Sequence, residues 1–280
     1  MTTITLLPPA KIDRPSCGTV IAVHCSGSSG SQWRRLAEAA SDRFALVSPD
    51  LYGCGHAGGW SGHGAFALAD EALGTLQAID QASGPVHLVG HSYGGAVALH
   101  AALRRTERIG SLTLYEPTVF HLLPWLGEEG AAAYAEIKGV ASAVAEGVLS
   151  GDYHGAAGRF IDYWSGDGAW ESLKPEVRTE IARWIVKAPL DFRALFADPT
   201  PIVAYAALRC PVLVMRGEHA PAPTRLVANL LADVAPLGRG EVIRGAGHMG
   251  PITHAADVNR HILEHVEHAQ QRHQPWRAAG

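Results

Sequence analysis

Apolar and polar residues fall along this chain in alternating blocks. Six short β-rich runs stand out: "GTVIAVHCS" (18–26), "FALVSPD" (44–50), "PVHLVGHS" (85–92), "SLTLYEP" (111–117), "PVLVM" (211–215) and "GEVIRGAG" (240–247). Most are continuously apolar, as strands covered on both faces should be. Between them, residues 31–43, 65–82, 93–106, 221–234 and 254–270 read as helices. This alternation predicts an α/β chain with a mostly parallel sheet covered by helices on both faces. The rhythm breaks over 118–209, which holds no convincing strand. It has helical pieces such as 129–149 and 175–187, and the tryptophans Trp125, Trp164, Trp170 and Trp184. The expectation is a helical insertion over the C-terminal edge of the sheet, with a core made of 1–117 and 210–280.

Composition narrows the picture. With 280 residues, 47% of them hydrophobic, the chain can bury a large core. Lys plus Arg is 23 against 27 for Asp plus Glu, and there is no basic run, which sets nucleic-acid binding aside. No apolar stretch is long enough to span a bilayer. The segment "MTTITLLPPAKIDRPS" lacks the cationic start and apolar stretch of a signal peptide. Cys17, Cys25, Cys54 and Cys210 have neither metal-site nor disulfide-framework spacing. The chain is therefore expected in a reducing cytoplasm, with no metal or organic cofactor and a small molecule as its substrate. The pattern leaves oligomeric state open.

"LVGHSYGGAVALHAAL" (88–103) carries the chemistry. Gly90-His91-Ser92-Tyr93-Gly94 is a G-x-S-x-G turn between an apolar strand and an apolar helix, the context a nucleophilic serine needs. The plainer alternative is a serine that caps a helix. Residues 53–58, "GCGHAG", match a dinucleotide-binding G-x-G-x-x-G. That motif must open a helix directly, whereas loop-like "GWSGHGAF" follows here.

With "VIAVHCSGSSGSQWRRLAEAA", "DLYGCGHAG", "VGHSYGGA" and "GAGHMGP" in order, nearly the whole chain resembles an α/β-hydrolase-fold enzyme with a helical cap. The resemblance implies an oxyanion hole made by the backbone amides of Ser26 and Tyr93. Cys25 stands where relatives often have glycine, and the short stretch before the first strand implies a shortened opening strand pair. It also implies that His248, in a glycine-rich loop between the last strand and the last helix, is the general base. His91 flanks the turn. His261, His265 and His268 share one helix face and read as solvated.

The resemblance further implies an acid that orients His248. In many relatives it follows the seventh strand, which places it at Ala220 in "RGEHAPAPT". Alanine has no acceptor, and the prolines after Ala220 and Ala222 predict an extended loop. Two carboxylates can substitute. Glu116 ends the preceding strand, where haloalkane dehalogenases carry their acid, and Pro117 predicts an extended Glu116. Glu218 is the alternative. Dehalogenases have Asp where this chain has Ser92, which sets that activity aside. The expected function is hydrolysis of a small to medium, fairly apolar carboxylic ester or lactone, with the tryptophans and "FHLLPWL" as pocket or core. Carbon–carbon bond hydrolysis, perhydrolase chemistry and a non-catalytic binding protein are the alternatives.

Overall fold

The computed structural model describes residues 18–40 and 43–273. Cys17 and the expectations for the N-terminal segment lie outside them. Six strands form one sheet: β1 (Thr19–Val23), β2 (Ala45–Val47), β3 (Val86–His91), β4 (Ile109–Tyr115), β5 (Val212–Gly217) and β6 (Gly238–Ile243). Their order is β2-β1-β3-β4-β5-β6 and every neighbouring pair is parallel.

Alternate residues of each central strand face opposite layers, so a buried strand must be apolar on both. Ile21, Val23, Leu88, Leu112 and Leu114 join a core with Val97 of the helix Tyr93–Arg104 and Val227 of the helix Ala222–Val234. Val20, Ala22, Val89, Leu213 and Met215 join the opposite core with Leu36 of the helix Arg34–Ala40 and Ile262 of the helix Ala255–His273. The outermost β6 is only partly covered, with Arg239 and Val242 exposed. Between β4 and β5 the chain forms only α- and 3-10-helices, the longest being Gly127–Ser150. Among the described residues no helix is long and apolar enough to cross a membrane.

The strand order reverses direction between β1 and β3. The chain runs from β1 outward to β2, then returns to the other side of β1. Such a switch point opens a crevice at the C-terminal ends of the strands, where ligands bind in α/β sheets. The loop after β1 holds Ser26 and the turn after β3 holds Ser92, so both flank that crevice.

Four of the buried histidines are held below the ordinary histidine value. Burial pushes His24, His100 and His265 down to about 4. His91 lies well below the ordinary histidine value, through burial and the neighbouring His248. His265 corrects the expected solvated face: it is buried, with Nε2 3.3 Å from the Pro211 carbonyl oxygen. Both ring nitrogens of buried His100 lack a partner among the described residues. Between pH 4 and 6.5 the unfolded chain binds protons at these sites that the folded chain refuses. Stability is therefore complete above about pH 6.5 and falls as pH drops toward about 4, each of these histidines adding to the loss. Urea unfolding at pH 7.5, 6.5 and 5.5 should show a steep loss over the last interval. His100→Leu should make it shallower, whereas a flat wild-type profile would contradict the assignment.

Candidate active site

Ser92 sits where β3 turns into the helix Tyr93–Arg104, at φ 56° and ψ −121°. Its amide donates to the Tyr115 carbonyl at 2.9 Å, so strand pairing persists to the turn. A left-handed, non-glycine backbone costs about 1–3 kcal/mol and is held only when its surroundings over-determine it. The flanking glycines make the turn possible. A Cβ on Gly90 would stand 2.6 Å from the Gly94 oxygen, and one on Gly94 would stand 2.3 Å from the His24 oxygen.

His248 comes from the loop after β6. Its Nε2 lies 2.9 Å from Ser92 Oγ, and its Nδ1 lies 2.7 Å from Glu116 Oε2. Glu116 ends β4 and is fully buried. Gly217 N–H donates to its Oε1 at 2.9 Å and Thr224 Oγ1 donates to its Oε2 at 2.7 Å. Burial opposes ionisation of Glu116, but the His248 hydrogen bond and charge, the Gly217 amide and the Thr224 hydroxyl outweigh it. The carboxyl is held below its ordinary value. Glu218 points elsewhere: it is exposed, and its Oε2 accepts from Gly245 N–H at 2.8 Å.

Two local expectations are corrected. Glu116 is not extended before Pro117 but lies at φ 43°; with Ser92 it is one of two described non-glycine residues at positive φ. Its carboxylate is tied down by three donors at once, and this tertiary demand overrides the proline preference. Nor is Ala222 extended: it opens the helix Ala222–Val234 with Pro223 in the first turn. First-turn N–H groups have no intrahelical acceptor, so proline loses nothing there. The segment "RGEHAPAPT" thus supplies the Gly217 amide and the Thr224 hydroxyl to Glu116, neither of which stood out in the sequence.

A second set of contacts fixes the loops. His91 Nε2 lies 2.8 Å from the His248 carbonyl oxygen, and its Nδ1 lies 3.1 Å from Gln32 Nε2. Gln32 Oε1 accepts from Cys25 N–H at 3.1 Å. The network is consistent with a neutral His91 that donates from Nε2. Tyr115 Oη donates to the Gly247 carbonyl at 2.8 Å. Within the loop after β1, His24 Nδ1 lies 2.7 Å from the Cys25 oxygen and His24 Nε2 accepts from Leu51 N–H at 3.1 Å. This pinning shapes the loop that carries Ser26 without a glycine at Cys25. Burial pushes the Cys25 and Cys54 thiols up to about 12, so neither is a thiolate at neutral pH.

Helices from 118–209 cover Ser92. Ser26, Ser92, Tyr93 and Thr118 share a narrow cavity with Phe120, Phe160, Trp164, Asp191 and Phe192. Trp164 lies over the His248 ring, with centroids 4.1 Å apart and planes 30° apart. Trp125, by contrast, is 76% exposed, and Trp184 packs on Gly27. Sequence reading missed a buried ionic cluster beside the cavity. Lys187 Nζ contacts Glu71 Oε2 at 2.6 Å and Asp191 Oδ1 at 2.5 Å. Ser26 Oγ donates to Asp191 Oδ2 at 3.0 Å, and Tyr93 Oη donates to Glu71 Oε2 at 3.1 Å.

The dinucleotide motif has no such setting. After Gly58 the chain continues as loop, and the next helix begins at Leu68. Asp50 Oδ2 instead accepts from His56 N–H at 2.9 Å within that turn. Among the described residues no cluster of three or more His, Cys, Asp or Glu is arranged to hold a metal ion.

Residues 20–261 match the alpha/beta hydrolase family model. A pimeloyl-[acyl-carrier protein] methyl ester esterase of Methylococcus capsulatus is 30% identical over 264 residues, covering 88% of this chain and 94% of that protein. Lipase LipV of Mycobacterium tuberculosis is 36% identical over 100 residues, and that match spans only 37% of its length. A hydrolase structure from Oleispira antarctica superposes with TM-score 0.73 at 17% identity, over 95% of this chain and 93% of that one. The fold, the family match and these likenesses agree: the chain belongs to the alpha/beta hydrolase family.

Proposed function

We propose that the chain is a serine hydrolase that cleaves a small to medium, fairly apolar carboxylic ester or lactone through an acyl-enzyme on Ser92. The observation that carries this reading is the unbroken hydrogen-bonded chain Ser92 Oγ–His248–Glu116 in a buried setting. A serine hydroxyl needs a base to become nucleophilic. His248 Nε2 takes the Ser92 proton as Oγ attacks the carbonyl carbon, then gives it to the departing alcohol. Glu116 holds Nδ1 protonated and stabilises the imidazolium that forms. The Trp164 face over His248 adds attraction for that cation.

The tetrahedral intermediate places negative charge on the former carbonyl oxygen. Tyr93 opens its helix, so its amide has no intrahelical acceptor. With the Ser26 amide it makes the oxyanion hole, each such donor being worth ~2.7–4 kcal/mol. The helices of 118–209 act as the cap, and the aromatic cavity beneath them takes the apolar part of the substrate. The likeness to a methyl ester esterase supports ester chemistry. Free, buried Cys25, Cys54 and Cys210 fit a cytoplasmic location.

Incubating the protein with a fluorophosphonate and mapping the adduct tests the nucleophile. Labelling confined to Ser92, together with turnover of p-nitrophenyl butyrate, is expected. An unlabelled Ser92 would instead favour a binding protein on this fold.

A further inference from the structure

We propose that the acyl group hydrolysed at Ser92 carries a hydrogen-bond donor, a hydroxyl or nitrogen-bound hydrogen, which Asp191 and Thr118 recognise, and that carboxylate-bearing acyl groups are rejected. This rests on the serine-hydrolase reading and specifies its substrate.

The cavity wall is mostly apolar, yet two polar side chains are set into it. Asp191 is 3% exposed and Thr118 is 2% exposed. Thr118 Oγ1 has no hydrogen-bond partner among the described residues. A buried hydroxyl left unpaired is costly, and a ligand group is one way to pair it. Asp191 uses one oxygen for Lys187 and the other for Ser26, while a carboxylate has about four lone-pair sites. Acceptor capacity therefore remains beside the cavity.

Charge sets the sign of the preference. Glu71 and Asp191 share the single cation Lys187, so the fully ionised cluster carries one excess negative charge. Burial, joined by the charge of Glu71, raises Asp191 above the usual carboxylate value despite Lys187. The Asp191 and Glu71 charges outweigh burial at Lys187 and raise it too. The two carboxylates around one ammonium group leave the cluster short of positive charge. A donor from the substrate relieves it and a second carboxylate worsens it.

The geometry also assigns the side of the ester. The departing alcohol must reach His248 Nε2 for its proton. The cavity is lined by Ser92 and by the oxyanion residues Ser26 and Tyr93, not by His248. The group that occupies it is therefore the acyl chain.

The test compares kcat/KM for p-nitrophenyl butyrate, p-nitrophenyl 3-hydroxybutyrate and mono-p-nitrophenyl succinate, which are similar in size and differ in polarity. The wild-type protein is expected to favour the hydroxy ester over butyrate by about tenfold and to disfavour the succinate by at least as much. Thr118→Val should reduce the hydroxy preference and leave the succinate-to-butyrate ratio unchanged. In Asp191→Asn, Lys187 retains the amide oxygen and the nitrogen takes the outer position, so discrimination against the succinate should collapse. Lys187 stays paired with Glu71 in that variant, and the excess charge disappears, so folding is preserved. Equal kcat/KM for the three esters in the wild type would overturn the proposal. So would an Asp191→Asn effect that scales all three equally, which would mark a structural role. If Ser92 also resists fluorophosphonate and no ester is cleaved, the serine-hydrolase reading falls and takes this proposal with it.

Discussion

Ser92→Ala is expected to lower kcat for p-nitrophenyl butyrate by on the order of 10⁵–10⁶, with KM changed little. The size of the effect follows from the absence of a substitute. His248 Nε2 faces Ser92 Oγ at 2.9 Å, and the Cys25 and Cys54 thiols are buried and protonated. Removing the hydroxyl leaves only binding and oxyanion stabilisation, which retain about 10³–10⁴ over the uncatalysed reaction. KM is spared because the lost oxygen contributes to bond making rather than to holding the acyl group. Steady-state kinetics with a circular-dichroism check of folding reads the outcome, and near-wild-type turnover would remove Ser92 from the mechanism.

Glu116→Gln should cost about 10⁴ in kcat, and Glu218→Gln less than about twofold. Three donors converge on Glu116: Gly217 N–H at Oε1, with Thr224 Oγ1 and His248 Nδ1 at Oε2. A glutamine amide has one acceptor and one donor end. Whichever way it turns, N–H faces N–H or O–H at one side, and the charge that steadies the imidazolium is gone. Glu218 is exposed and accepts only from Gly245 N–H among its described hydrogen bonds, so its amide is well tolerated. Because the Glu116 carboxyl is held below its ordinary value, its contribution to stability is complete above about pH 4.3 and is lost as pH falls through the depressed value. Loss of activity only in Glu218→Gln would move the acid to the neighbouring loop.

The sheet was legible because a strand buried on both faces must be apolar throughout. Runs such as "TVIAV" and "PVLVM" admit little else once turns bound them. The G-x-S-x-G turn was legible for a steric reason: side chains at Gly90 and Gly94 would collide with backbone, so the glycines record the turn. Ser92, His248 and Glu116 could be named from motif order, strand ends and family resemblance. Their hydrogen-bonded contact spans 156 residues from Ser92 to His248 and 132 from Glu116 to His248.

Other features belong to tertiary structure alone. Thr224 and the Gly217 amide serve Glu116 because β4 and β5 are neighbours whose ends, with the helix after β5, meet at one point. Glu116 takes φ 43° before a proline because its three donors leave the carboxylate one place to go. The cluster of Glu71, Lys187 and Asp191 joins residues up to 120 positions apart, with no spacing to mark them. A local pattern carries information wherever covalent geometry and burial constrain neighbours in the chain. Which charge meets which, and which hydroxyl is left facing a cavity, is decided only when distant segments are packed together.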